Sequence, residues 1–266
     1  MSLMPNSVRY ALISVDMSLR SPGFTLVVKK PNHLQPVFRF FAFGSYPKTI
    51  DLCDGNSLNI WNGKDIANGE DLDRYQKLIE PIVSDIVEPL LKNDNFKPEE
   101  ISVAVESYAF PARSQAGSNY KLHESCGILK HVLFTIFGIK NIFNVSPMTW
   151  RSRTVKTLEQ NENLPQNHKL LSLRFFNTFF PETDLLSLCS KKLGKNNSVP
   201  TPVQDIADSF CLAASVLADS EPFFSMLSRK KNVQNRKRKR DAKDVTLFSE
   251  SPTPLPKKQN QKKKKN

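Results

Sequence analysis

The chain has 266 residues, 39% of them hydrophobic, enough for one sizeable packed domain with sequence to spare. Its net charge of +12 lies wholly in residues 229–266, which hold 15 Lys/Arg against 3 Asp/Glu, so that residues 1–228 balance at 23 of each. No apolar run approaches the ~18 residues of a membrane span, the N-terminus lacks a signal-peptide core, and four cysteines without CxxC spacing beside four histidines complete no zinc pattern; an intracellular protein with reduced thiols is expected.

"VRYALISVDMS" reads as a buried strand ending in Asp16, and "GFTLVVKK" and "PVFRFFAF" extend it into a meander. Residues 44–69 read as a loop rich in Pro, Gly, Asn and Asp. "GEDLDRYQKLIEPIVSDIVEPLL" has helical apolar spacing, with a kink or break expected at Pro81 or Pro89. "ISVAVESYAF" is a fourth strand, apolar up to Glu106. "NYKLHESCGILKHVLFTIFG" is an apolar helix stopped by Gly138, and "KNIFNVSP" a fifth strand ended by Pro147. A basic turn, "WRSRTVKT", leads to the helix "NHKLLSLRFFNTFF", and a lysine-bearing loop to the small-residue helix of "TPVQDIADSFCLAASVLADS". This order predicts an α/β domain over 1–228, a mixed five-stranded sheet with helices on both faces. Residues 229–266 lack apolar periodicity and read as a disordered basic tail.

Acidic residues stand at three telling places: Asp16 ending the first strand, Glu106 ending the fourth, and Asp205 with Asp208 opening the last helix. Three residues apart on a helix, the last two share a face. Capping explains Asp205, and the helix dipole Asp208, equally well as a local reading. If the first and fourth strands are neighbours, however, all four carboxylates meet, and they repel one another unless cations neutralise them. Oxygen-only ligation favours Mg²⁺ or Mn²⁺, and two such ions are suited to phosphodiester cleavage. Residues 113–195 carry 12 basic against 5 acidic residues, a surface suited to a polyanion.

At these motifs the chain resembles the RuvC-type Holliday junction resolvases of the ribonuclease H-like superfamily. "SVDMSLRSPGFTLV" is similar to the first strand and its turn, "AVESYAF" to the second motif, "SNYKLHESCGILKHVLF" to the helix after it, and "DIADSFCLAAS" to the last motif. The resemblance runs in order over 8–218. Met17-Ser18-Leu19 departs from the common form toward phage and large DNA virus members, and the 44–69 segment and the tail are extra. The resemblance implies a ribonuclease H-like fold and a Mg²⁺-dependent endonuclease, with Mn²⁺ able to substitute, that resolves branched DNA such as four-way junctions. It implies that Asp16, Glu106, Asp205 and Asp208 are the catalytic metal ligands, without dividing direct from indirect roles between the last two. Tyr108 and Phe110 would stack on or wedge bases, and Arg113, Lys121, Arg151, Arg153 and Lys156 would meet phosphates.

The apolar surface of "ESCGILKHVLFTIF" serves core packing or a two-fold homodimer, which paired nicks need. "RKRKR" in the tail fits a nuclear localisation signal and equally a DNA-binding arm. Two alternatives stay open: a related nuclease acting on RNA–DNA hybrids or flaps, and a non-catalytic nucleic-acid-binding protein of the same fold.

Overall fold

The computed structural model describes residues 9–18, 21–31, 33, 35–63, 66, 71–107, 116–158, 167–195 and 198–218. In chain order these form β1 (Tyr10–Asp16), β2 (Gly23–Lys29), β3 (Val37–Gly44), β4 (Lys48–Asp51), β5 (Ser57–Asn62), α1 (Asp71–Ile82), β6 (Ile101–Glu106), α2 (Ala116–Thr135), β7 (Asn141–Val145), α3 (Pro147–Leu158), α4 (His168–Phe179), the short α5 (Leu185–Leu188) and α6 (Val203–Leu217). The strands make one mixed sheet in the order β4-β5-β3-β2-β1-β6-β7. β2 runs antiparallel to β1 and β3, whereas β1 and β6, β6 and β7, and β3 and β5 pair in parallel.

The α/β class and the mixed sheet agree with the sequence reading, but the sheet has seven strands rather than five. Both additional strands come from the 44–69 segment read as a loop. β4 forms the outer edge, antiparallel to β5. Its alternation of half-buried and exposed positions gives little hydrophobic signal. The turn between them carries Asp54 and Gly55 at φ 61° and 76°, the left-handed conformation that Asp-Gly tolerates. Asn56 ties this turn to β3: its Oδ1 accepts from the Phe38 N–H at 2.7 Å, and its Nδ2 donates to the Cys53 carbonyl at 2.7 Å.

One other reading is corrected and, of the kink or break expected at the prolines, the break is absent. "WRSRTVKT" is no turn: it lies within α3, which starts at Pro147, a residue well suited to a first helical position because its missing N–H would have had no partner there. The helix over 71–93 does not break at its prolines. It continues through Pro81 and passes into π-helical turns at Val83–Val87 and Pro89–Asn93, wider turns that accommodate irregularity in the i to i−4 ladder.

Strand alternation divides the core into two layers. Ile13 and Val15 of β1, Phe24, Leu26 and Val28 of β2, and Val103 and Val105 of β6 join the layer with Leu78 and Ile82 of α1 and Leu122, Leu129 and Leu133 of α2. The opposite face carries Ser14, Thr25, Phe38 and Phe40 against α4 and α6. Phe210 of α6 sits in a cage of aromatic rings, its centroid 5.7 Å from that of Phe38, 6.0 Å from Phe40, 5.4 Å from Phe176 and 5.1 Å from Phe179. Burying a ring of that size contributes roughly 2–3 kcal/mol. A polar pin fixes the helix along its axis: Ser14 Oγ donates to the Ser209 carbonyl at 2.7 Å, and the Thr25 and Ser209 hydroxyls bond at 2.9 Å.

Candidate active site

The period of two that places Ser14 against α6 places Asp16 on the same face, and Glu106 follows Val105, the parallel partner of Val15. Two carboxylates therefore stand side by side at the ends of adjacent parallel strands, under the first turns of α6. That helix approaches closely because Gly23, paired with Asp16 across the sheet, has no side chain. A Cβ at Gly23 would lie 2.1 Å from the Asp205 carbonyl oxygen. Asp205 is not a helix cap: α6 begins at Val203 after Pro202, with no side-chain capping bond. The local reading of Asp205 as a cap is thereby set aside.

The four acids feel one another. Burial pushes the Asp16 carboxyl well above its ordinary range, and repulsion from Glu106 and Asp208, a hydrogen bond shared with the Glu106 carboxyl and repulsion from Asp205 push it further. Burial lifts Asp205 to about 7, opposed by the nearby Ser21 hydroxyl, helped by repulsion from Asp208 and opposed by the charge of Lys169. Its Oδ2 is buried with no hydrogen-bond partner. Burial also lifts Asp208 to about 6; hydrogen bonds from Ser172 and Gln204 pull it down, Glu106 pushes it up, and Arg151 pulls it down.

Sequence reasoning missed several contributors. Trp150, only 3% exposed, donates its indole N–H to Glu106 Oε1 at 3.0 Å. Gln204 Nε2 donates to Asp208 Oδ2 at 3.2 Å. A signal for Trp150 existed: Ser146-Pro147 announces a helix start, and a helix beginning there carries Trp150 back over the end of β6.

The expected nucleic-acid contacts scatter. Arg151 stands within electrostatic reach of Asp208, its guanidinium carbon 5.1 Å from the centre of the Trp150 ring. Arg153 donates to the Ser215 carbonyl, bracing α3 against α6. Lys121 and Lys156 are exposed on α2 and α3. Tyr108, Phe110 and Arg113 lie outside the described residues.

No family model matches the chain, and no curated protein matches it either. Solved structures are similar to it, two of them as follows. Thermus thermophilus RuvC is 12% identical, with a TM-score of 0.39, over 78% of this chain and 95% of that one. The yeast mitochondrial Holliday junction resolvase Ydc2 is 12% identical, with a TM-score of 0.42, over 88% of this chain and 86% of that one.

Among the described residues, no three His, Cys, Asp or Glu side chains stand tightly enough to enclose a cation in this conformation. By chemistry the residues fit one. The donors are all oxygens, the set hard divalent cations take. A buried carboxylate oxygen lacks a partner among the described residues, and a cation would relieve the repulsion that raises Asp16.

Proposed function

We propose that this chain is a divalent-cation-dependent endonuclease of the ribonuclease H-like type that nicks branched DNA, four-way junctions in particular. One observation carries the reading: Asp16, Glu106, Asp205 and Asp208 repel one another at one end of the sheet, with Asp205 Oδ2 buried and unpartnered. A fold keeps such a cluster at a cost in stability, and a bound cation is the physical means of offsetting it.

These four side chains would hold Mg²⁺, or Mn²⁺ in its place. Cations bound there supply Lewis-acid chemistry, activating water and neutralising charge on a phosphodiester. The chain's own residues do the rest. Trp150 fixes one Glu106 oxygen and leaves the other to turn toward the acids. Gln204 and Ser172 do the same for Asp208. Arg151 sets a positive charge beside Asp208, where an incoming phosphate would meet it.

A homodimer suits paired nicks, one on each of two symmetry-related strands. Tyr120, Phe134 and Ile136, in and just after α2, are 72%, 55% and 68% exposed, and they support α2 as the shared face. The tail would add sequence-independent DNA affinity or direct the chain to a nucleus. Among the described residues no helix is long and apolar enough to cross a membrane.

The deciding experiment incubates a labelled synthetic four-way junction with Mg²⁺ and either the wild-type chain or Asp16→Asn. Paired nicks are expected from the wild type, reduced more than ~100-fold in the variant while junction binding persists. A folded wild type that binds the junction without nicking it would overturn the reading in favour of a binding protein of the same fold.

A further inference from the structure

The parallel strands end together, and β3 and β5 share the direction of β1. Their ends therefore lie at the same edge of the sheet as the acids. There a cavity of about 170 Å³ opens, its polar lining made of Ser21, Ser45, Lys191 and Thr201. A smaller cavity of about 30 Å³ shares Ser45 and Lys191 with it and adds Tyr46 and Lys48. The two form a groove that starts at Ser21, whose hydroxyl donates to the Phe43 carbonyl at 2.8 Å and which lies two residues before the Gly23 that meets Asp205, and it runs outward along β4. Among the described residues lining it, none is Asp or Glu. Lys191, Ser45 and Thr201 are exposed to solvent, and Tyr46 is 75% exposed.

We propose that this groove is a backbone-phosphate subsite for the strand that reaches the acids. Cationic and hydroxyl donors without a competing carboxylate recognise a phosphodiester, and an exposed tyrosine offers a face on which a base stacks. The acids themselves repel a strand, so a positive groove beside them supplies the attraction that holds it in place. The subsite belongs to the β4–β5 addition and the loop after α5. It rests on the nuclease reading above.

The test measures binding of a fluorescein-labelled four-way junction to the full-length chain by anisotropy, without divalent cations, across a salt series. Lys191→Ala is expected to weaken binding about three- to tenfold and to lower the slope of log affinity against log salt by about one. Ser45→Asp, which sets a negative charge in the groove, weakens it further. Lys140→Ala, an exposed lysine before β7 at the opposite end of the sheet, leaves affinity and slope unchanged. Folded Lys191→Ala and Ser45→Asp proteins with wild-type affinity and slope would overturn the subsite alone, provided the wild type binds and nicks the junction. A wild type that binds no branched DNA would overturn the nuclease reading, and the subsite with it.

Discussion

Glu106 shows how a neighbour can fix the orientation of a carboxylate. The Trp150 indole takes one carboxylate oxygen at 3.0 Å inside the protein, so the remaining oxygen is held in one orientation. Trp150→Phe keeps the ring and deletes the donor. It is expected to lower stability by about 1–2 kcal/mol, read in a denaturant melt, and to slow nicking roughly tenfold while raising the Mg²⁺ concentration needed for half-maximal rate. The acids also set a pH dependence. Asp205 at about 7 and Asp208 at about 6 hold protons in the folded state that the unfolded chain releases near pH 4. The metal-free fold therefore loses stability as pH rises from about 4 to about 7. Asp205→Asn is expected to raise the metal-free Tm at pH 8 by about 5 °C, from on the order of 2 kcal/mol, with little change at pH 4. Mg²⁺ is expected to raise the wild-type Tm at pH 8 far more than at pH 4. A flat Tm across this range in metal-free buffer would show that the carboxylates do not strain the fold.

At the scale of elements, α6 decides whether the site exists. β1 and β6 deliver Asp16 and Glu106 by strand pairing alone, but Asp205 and Asp208 arrive only if α6 lies close across the sheet. Three features of different chemistry hold it there: the aromatic cage around Phe210, the Ser14–Ser209–Thr25 pin, and the bare backbone of Gly23. The last is the most exacting. Gly23→Ala puts a methyl group 2.1 Å from a backbone oxygen, and neither the strand nor the helix can yield without moving an acid. A loss of about 1–3 kcal/mol or more is expected in a thermal melt, together with loss of nicking beyond what the stability change explains. Gly23→Ala with wild-type activity would show that α6 need not sit so close.

Over the whole molecule, the net charge gathers at one end of the sequence. The first 228 residues are neutral overall, and the surplus of +12 sits in the last 38. Truncation after Ser228 is expected to leave the melting temperature within about 2 °C, since residues 229–266 lack the apolar periodicity that a core draws on. It is expected to weaken junction binding at low salt by at least tenfold and to flatten its salt dependence, because fewer phosphates are neutralised. Nicking at saturating protein should survive. If truncation abolished nicking while the junction stayed bound, the tail would be part of the reaction.

Much of this could be read in the sequence because it is local. Runs such as "ALISV" and "ISVAV" have one stable use, as buried strands, and an acid ending such a run stands at the end of its strand. The period of the last helix put Asp205 and Asp208 on one face. The balance of charge between body and tail is a property of composition. What only the tertiary structure decided depends on partners distant in the chain. β5 is a strand because β3 pairs with it and β4 because β5 does, while β4's own residues carry little hydrophobic signal. Trp150 touches Glu106 because α3 starts at Pro147 and turns back over β6. The shifts in acidity of Asp16, Asp205 and Asp208 exist only once burial removes water and like charges come near one another. A sequence fixes which groups are present and how they recur along the chain; their mutual repulsion depends on distances that packing alone sets.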